Sequence, residues 1–149
     1  MPSSVREAAI AAIFARLTTE LAGVVVERVR RSPIDVTRES LPRAVVTAGD
    51  IDADATREPM QTHYTLNFTV AAYVDAVDDL ALDRALSDLH ARIVAALVGW
   101  QPATLGLGEV AEGGAGFEPF PAGSSKAPAG EMLASFSILA IAPTGAPYL

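Results

Sequence analysis

The sequence predicts a two-layer α+β domain, in which two helices pack on one face of a mixed, largely antiparallel sheet of four to five strands. Residues 61–74 alternate apolar and more polar side chains, which is the spacing of a strand with one buried face. Two other stretches carry apolar residues at helical spacing. We therefore expect one α+β domain over residues 1–142, containing a glycine- and proline-rich excursion at 101–130, followed by a C-terminal arm at 143–149.

The first helix is predicted from about Ser4 to Ala22. Ser4 and Glu7 have the spacing of a capping box, and Gly23 is a typical stop signal after a helix. The apolar stripe of this helix consists of Ile10, Ile13, Phe14, Leu17 and Leu21. Two short strands are predicted next, at 24–31 and 43–48, because both stretches are rich in β-branched residues. Gly49 is expected to close the second strand.

Acidic residues then alternate, as they do in the first half of a calcium-binding EF-hand loop. These residues are Asp50, Asp52 and Asp54. An EF-hand loop needs glycine at its sixth position and a bidentate glutamate at its twelfth, where this chain has Ala55 and Gln61. We expect a solvated acidic hairpin loop through Glu58 and Pro59, and no metal.

The second helix is predicted after the long strand. Acidic residues end the strand pattern and place negative charge at the positive end of the helix dipole; they are Asp75, Asp78 and Asp79. Leucines and Ile93 form the apolar stripe, and Gly99 ends the helix. The excursion at 101–130 is expected to be mostly loop with a short strand at 105–111, and the last strand at 131–142.

Composition limits the chemistry that the chain can perform. The 149 residues include no cysteine, which excludes disulfides, thiolate metal sites and cysteine nucleophiles. A formal charge of −7 argues against a surface that grips nucleic-acid phosphates. His63 and His90 have no partner at a motif spacing, and the glycines of the excursion do not match a phosphate-binding loop. We expect no catalytic residue, no cofactor and no specific nucleic-acid binding.

No membrane association is expected either. The first residues lack the basic and apolar regions of an export signal. The most apolar stretch, 132–142, is shorter than the roughly 20 residues that a membrane-spanning helix needs.

Four stretches of the chain resemble the tail terminator (minor tail protein U-like) family of long-tailed bacteriophages and phage-like particles. They are the opening helix through Leu21, the segment SLPRAVV at 40–46, the strand TLNFTV at 65–70 leading to DLAL at 79–82, and the closing strand at 133–141. Together they span most of the chain.

The resemblance implies a structural virion protein made in the host cytoplasm and located at the head-proximal end of the tail. It implies a homo-hexameric ring that caps the tail tube, stops its polymerisation and provides the surface for head joining. The implied partners are further copies of the chain, the major tail tube protein and the head-completion or neck protein. DNA only passes through the lumen of the ring. The family has no catalytic residues to transfer.

A closed ring of identical subunits needs two different, complementary patches on each subunit. One candidate patch is the arginine cluster Arg28, Arg30 and Arg31; the other is formed by the acidic residues Asp50, Asp52, Asp54, Asp75, Asp78 and Asp79. We expect charge pairing between subunits. Candidate residues for docking to the tube or head are the apolar side chains Phe117, Phe120, Tyr148 and Leu149.

Two alternatives remain open at this level. A head-tail connector or neck protein has a similar size and gives similar hydrophobic patterns. A small ligand-binding or hydrolytic α+β domain would use His63 or His90.

Overall fold

The computed structural model describes residues 2–30, 32–121 and 127–149. Its elements are α1 (Val5–Glu20), β1 (Val25–Arg28), β2 (Arg43–Glu58), β3 (Gln61–Asp75), α2 (Asp79–Leu97), β4 (Leu107–Pro119) and β5 (Ala129–Pro143). The strands form one sheet in the order β1-β2-β3-β5-β4. β1 pairs in parallel with β2, and the other neighbours are antiparallel. The expected α+β class, with a mixed and mostly antiparallel sheet, is confirmed.

The core lies between one face of the sheet, called the helix face below, and the two helices. Even-numbered residues of β3 and β5 are buried on this face because side chains alternate along a strand. Phe68 of β3 stacks on Phe136 of β5, with ring centroids 5.5 Å apart. The helices contribute the apolar residues Ile10, Ile13, Leu17, Leu86, Leu89 and Ile93 to the same cluster. The other side of the sheet, called the open face below, has no helix among the described residues.

Both helices begin and end where the sequence predicts. Ser4 caps α1, its hydroxyl accepting a hydrogen bond from the Glu7 N–H at 3.2 Å, and Gly23 follows the helix with a φ of +79°. Asp78 caps α2 by accepting from the Ala81 N–H at 2.7 Å. These local signals are strong because each satisfies backbone groups that the helix end leaves without partners.

The acidic segment after Ala48 is strand, which corrects the expectation of a loop. β2 continues to Glu58, and the chain turns only at Pro59 and Met60. Gly49 belongs to a β-bulge, since the register of β2 against β3 shifts between Ala48 and Ile51. A Cβ at Gly49 would lie 2.8 Å from the Asn67 carbonyl oxygen, so the glycine permits close pairing rather than ending the strand.

The excursion expected to be mostly loop contains β4, which extends well beyond the predicted short strand. Two bulges interrupt its pairing with β5, one between Leu107 and Val110 and one between Glu112 and Ala115. A Cβ at Gly113 would lie 2.8 Å from the Ser135 carbonyl oxygen, so this glycine also allows a close approach of strands. Pairing with β5 overrides the poor strand propensity of glycine. β5 begins at Ala129, slightly before the predicted start.

The arm after β5 is held against the start of α1. Leu149 and Ser3 exchange two backbone hydrogen bonds of 2.9 and 3.0 Å, and the Val5 N–H donates to the Pro147 carbonyl. Leu149 packs beside a small cluster formed by Val5, Ala140 and Ala142. The arm thus covers the helix face at the end of the sheet that α1 leaves uncovered.

Truncation of Phe68 tests the packing of this core. We predict that Phe68→Ala lowers the free energy of unfolding by about 3–5 kcal/mol, because it removes a side chain that is only 1% exposed and leaves a cavity against Phe136. Urea unfolding monitored by circular dichroism measures the change. The control is Leu133→Ala on the open face of β5, where the side chain is 45% exposed and the loss should be under about 1 kcal/mol. Equal losses for the two variants would contradict the assignment of the faces.

Candidate functional site

A cavity on the open face contains one histidine, His63, beside Asp54. It has a volume of about 350 Å³ and is lined by open-face side chains that include His63, Leu139 and Ile141. Nε2 of His63 is buried, has no hydrogen-bond partner among the described residues, and lies 3.8 Å from a carboxylate oxygen of Glu58. None of the described residues lining the cavity is a serine or cysteine. The geometry provides a small, mostly apolar depression with a single imidazole at its edge.

His90 lies on the other side of the sheet. Its ring packs edge-to-face against Phe117, with centroids 5.6 Å apart, between α2 and β4. The two histidines therefore occupy opposite faces and do not act on one ligand. No group of three or more His, Asp or Glu side chains that could hold a metal occurs in the part of the chain that the structure describes.

Two arginines of the cluster, Arg28 and Arg30, are already paired within the subunit. Arg28 makes two hydrogen bonds, of 2.9 and 3.0 Å, to the Glu7 carboxylate. Arg30 lies 2.6 Å from Glu39 and 3.2 Å from Glu27, and its side chain is only 18% exposed. Arg31 lies outside the described residues. These arginines hold α1 and the 32–42 connection against β1, so their free charge toward a neighbouring subunit is small.

The pKa values of the partner carboxyl groups follow from the same contacts. The hydrogen bond from Arg28 lowers the pKa of Glu7. The backbone N–H of Asp35 and then Arg30 lower the pKa of Glu39. Both carboxylates stay ionised at neutral pH, which keeps these ion pairs intact.

The six acidic residues expected at a subunit interface form two separate groups. Asp50, Asp52 and Asp54 lie on the distal half of β2; Asp75, Asp78 and Asp79 lie at the opposite end of the sheet, where β3 leads into α2. Asp54 faces His63 across β2 and β3, and twelve residues of β3 separate His63 from Asp75. At about 3.3 Å per residue this places Asp54 roughly 40 Å from Asp75 along the strand, and Asp52, which lies opposite Thr65, roughly 33 Å from it.

Two of these aspartates have local structural roles. Asp54 accepts hydrogen bonds from the Thr56 hydroxyl and N–H at 2.6 and 2.9 Å and from Arg57, and the Thr56 contacts lower its pKa most. Asp78 is the helix cap described above. Asp50 and Asp52 are exposed and make no ion pair with the described residues.

The four candidate docking residues do not form one patch. Phe117 is 45% exposed on the helix face, whereas Phe120 stacks on Tyr73 of the open face at a centroid distance of 6.5 Å. Tyr148 and Leu149 lie at the other end of the sheet, on the arm. Other large apolar side chains are exposed at the two ends of the sheet: Met60 at 83%, Leu105 at 93%, Val77 at 89% and Leu80 at 60%.

The most extended unpaired surfaces are the two edges of the sheet, which the sequence analysis missed. β1 pairs only with Arg43 to Val46 of β2, so the remainder of β2, residues 47–58, has no strand on its outer side among the described residues. β4 forms the opposite edge. The glycines at the bulges were the available signal, but they indicate an edge only once the pairing partners are known.

Like charges face each other where β4 and β5 pair. Glu118 lies directly opposite Glu131, beside Tyr73. Burial raises the pKa of Glu131, and the Glu118 carboxylate raises it further. Burial likewise raises the pKa of Tyr73, with Glu131 adding to the effect. The carboxylates of Glu118 and Glu131 therefore repel each other when both are ionised.

Comparison with known proteins was made on the whole chain. No family model matches the sequence, and no curated protein matches it at a significant level. The fold is similar to that of a chain in a solved structure described as "Virion of native gene transfer agent (GTA) particle". The identity is 17%, the TM-score is 0.49, and the alignment covers 93% of this chain and 92% of the other. Similarity at this level does not determine a function.

None of the helices in the described ranges is both long and apolar enough to cross a membrane.

Replacement of Glu131 tests the effect of the repulsion between the carboxylates of Glu118 and Glu131. A carboxyl group with a raised pKa in the folded state favours folding at low pH, and this contribution is lost as the pH rises through the raised value. We therefore predict that Glu131→Gln stabilises the protein at pH 7 by up to about 1 kcal/mol and has almost no effect near pH 3. Thermal unfolding at the two pH values measures the difference.

The matched control is Glu112→Gln on the same strand, where Glu112 is exposed and faces Phe136 rather than an acidic residue. This variant should change the stability little at either pH. A stabilisation by Glu131→Gln that persists unchanged at pH 3 would contradict the electrostatic origin.

Proposed function

We propose that the chain is a structural protein of a phage-like particle and acts through its surfaces rather than as an enzyme. Within that class we propose the tail terminator role: a homo-hexameric ring at the head-proximal end of the tail that caps the tube, stops its polymerisation and provides the head-joining surface. Its partners in this proposal are the major tail tube protein and the head-completion or neck protein, with DNA passing through the lumen.

The observation that carries the proposal is the position of the four resembling stretches in the fold. The opening stretch forms α1, the segment at 40–46 leads into β2, and the closing stretch lies in β5. The strand at 65–70 lies in the middle of β3, which leads into α2. The stretches therefore coincide with helices and strands of the fold, which supports the proposal.

The shape of the sheet supports self-assembly independently of the resemblance. Ring closure requires a heterologous contact between two different surfaces of one subunit. The two uncovered sheet edges are such a pair of surfaces, on opposite sides of the same subunit. Charge pairing through Arg28 and Arg30 is a weaker part of the proposal, since both side chains have partners within the subunit.

The lumen is proposed to be acidic, because the chain carries a net charge of −7. A wall of this kind does not bind phosphates tightly and lets DNA pass.

Deletion of the gene in the organism that produces the particle tests the role. We predict tails of uncontrolled length that do not join heads, because nothing stops tube polymerisation; electron microscopy gives the length distribution. Expression of the wild-type chain should restore tails of one length. Tails of normal length that still join heads in the deletion strain would rule the terminator role out, and normal tails beside unjoined filled heads would point to a neck protein instead.

A variant with both His63 and His90 changed to alanine separates this role from that of a hydrolytic or ligand-binding domain. The proposed role predicts that the double variant restores tail length as well as the wild-type chain does, provided that its thermal unfolding is unchanged. Loss of function in a folded double variant would favour the ligand-binding alternative.

A further inference from the structure

The outward-facing backbone groups of β2 can be identified from the bonds that reach them. The Val29 N–H donates to the Val46 carbonyl at 3.0 Å, and Arg6 donates to the Ala48 carbonyl at 3.2 Å, both from the outer side of β2. Outward groups occur on every second residue of a strand, and the bulge at 49–50 shifts this pattern by one. The next residues with outward N–H and C=O groups are therefore Ile51 and Ala53.

The same reasoning identifies the outward groups of β4. The Phe120 N–H donates to the Ala129 carbonyl at 2.8 Å, so Glu118 and Gly116 also direct their N–H groups to β5. Ala115 and Phe117 then direct theirs away from the sheet. Pro119, which has no N–H to offer, occupies the outward register. On the N-terminal side of the second bulge, the same alternation directs the backbone N–H and C=O groups of Glu112 away from β5.

The directions of the two edges are complementary. β4 is antiparallel to β5, β5 to β3, and β3 to β2, so β4 and β2 run in opposite directions. A rotation about a ring axis parallel to the strands keeps strand directions, and it places β4 of one copy beside β2 of the next as an antiparallel pair. The lengths also agree, since β4 has 13 residues and the uncovered part of β2 spans 47–58.

Small side chains make β4 easy to approach. Gly113, Gly114, Ala115 and Gly116 form its middle, and all are exposed. Natural sheets protect an edge with lysine or other charges, proline, bulges or a covering element. β2 and β4 both have bulges and acidic side chains, but neither has a lysine or a proline in the middle of the strand, and no strand among the described residues covers 47–58 or the outer side of β4.

We infer that β4 of one copy pairs in antiparallel fashion with residues 47–58 of β2 of the next copy, which joins the sheets of neighbouring subunits. This inference rests on the self-assembly in the proposed function, and it names the contact that builds the ring. In this inference, backbone hydrogen bonds between the two edges, rather than arginine–aspartate ion pairs, are the main interaction between neighbouring subunits.

The proposed contact between β4 and β2 has a distinct dependence on salt concentration. Both edges are acidic, with Asp50 and Asp52 on β2 and Glu109 and Glu112 on β4. Repulsion between them weakens when salt screens the charges. Self-association through the edges should therefore strengthen as sodium chloride rises from roughly 0.05 to 0.5 M, whereas association through arginine–aspartate pairs should weaken over the same range.

Disulfide cross-linking tests the contact directly, because the chain contains no cysteine of its own. Ala53→Cys is combined in turn with Glu112→Cys, Ala115→Cys or Phe117→Cys. All four residues direct their backbone groups away from the sheet and their side chains to the helix face, so the three combinations sample three registers of the contact. Adjacent antiparallel residues have Cα separations that suit a disulfide. At least one combination should give a ladder of linked multimers under mild oxidation.

The control combines Ala53→Cys with Ser87→Cys, since Ser87 is exposed on α2 and lies on neither edge. This pair should give no ladder. Native mass spectrometry, or electron microscopy of tail tubes, shows whether a ring forms. If a ring forms but none of the three edge combinations cross-links, the edge pairing is overturned and the proposed ring is not. Absence of self-association under every salt condition and on purified tail tubes would contradict the ring and the edge pairing together.

A second pair of variants tests the backbone donor. Ala115→Pro removes an outward N–H and leaves the bonds from Gly116 and Glu118 to β5 in place, whereas Ala115→Ser keeps the N–H. We predict roughly tenfold weaker self-association for Ala115→Pro and wild-type association for Ala115→Ser. Wild-type assembly of Ala115→Pro would overturn the inference, and if that variant fails to fold by circular dichroism, the cross-linking result decides.

Discussion

β3 is paired along its whole length with β5 and along most of its length with β2, and the rest of the structure depends on this pairing. Every residue from Gln61 to Asp75 has a partner on β5, and most also have a partner on β2. This double ladder determines which residues of β3 face the helices, because a shift of one residue would exchange the two faces. The stacked rings of Phe68 and Phe136 fix that register from the side of the core.

The coverage of the sheet follows from this arrangement. Two antiparallel helices suffice to cover one face, and the C-terminal arm completes the cover beside Val5. Neither helix reaches the distal half of β2, and β1 is too short to protect it. The subunit therefore has a well-packed centre and two long edges whose backbone groups are left to solvent or to another chain. The proposed edge pairing would complete the sheet through a neighbouring copy.

The ion pairs of Arg28 and Arg30 connect elements within the subunit. Arg28, Arg30 and Glu39 connect α1, β1 and the connection to β2 within one subunit. Such pairs contribute little when they are exposed, but here they position an irregular segment that has few apolar contacts. The charges that remain free on the edges are mainly negative, so electrostatics opposes close association, and backbone hydrogen bonding is the better candidate for driving it.

Much of the fold could be predicted from the sequence, and the reasons for the misses are specific. Ser4, Gly23 and Asp78 are local signals, and the stripes of α1, β3 and α2 are periodic, so these elements were predicted with nearly correct bounds. β4 and the end of β2 were missed because Gly49 and Gly113 are used in bulges, where the partner strand, not the glycine's own propensity, determines the structure. A strand that depends on its partner has no periodic signature in one sequence.

The candidate surfaces depend on contacts that one sequence does not show. The chemistry of Arg28 and Arg30 was visible in the sequence, but their partners Glu7 and Glu39 are brought to them only by folding. Phe117 and Phe120 are close in sequence yet lie on opposite faces of the sheet. The edges present backbone N–H and C=O groups, and because almost every residue carries these groups, they leave no signal in the sequence. Only the strand order shows which of those atoms lack partners.

Localisation of the subunit in purified particles is the most direct test of the account. Ser87→Cys gives an otherwise cysteine-free chain one thiol for gold labelling away from either edge, and particles with the wild-type chain, labelled in parallel, show the label bound to other proteins. We predict one compact ring of additional label at the end of the tail that joins the head, in electron micrographs of tails and of complete particles. Label spread along the tube, label inside heads, or particles without label would contradict it.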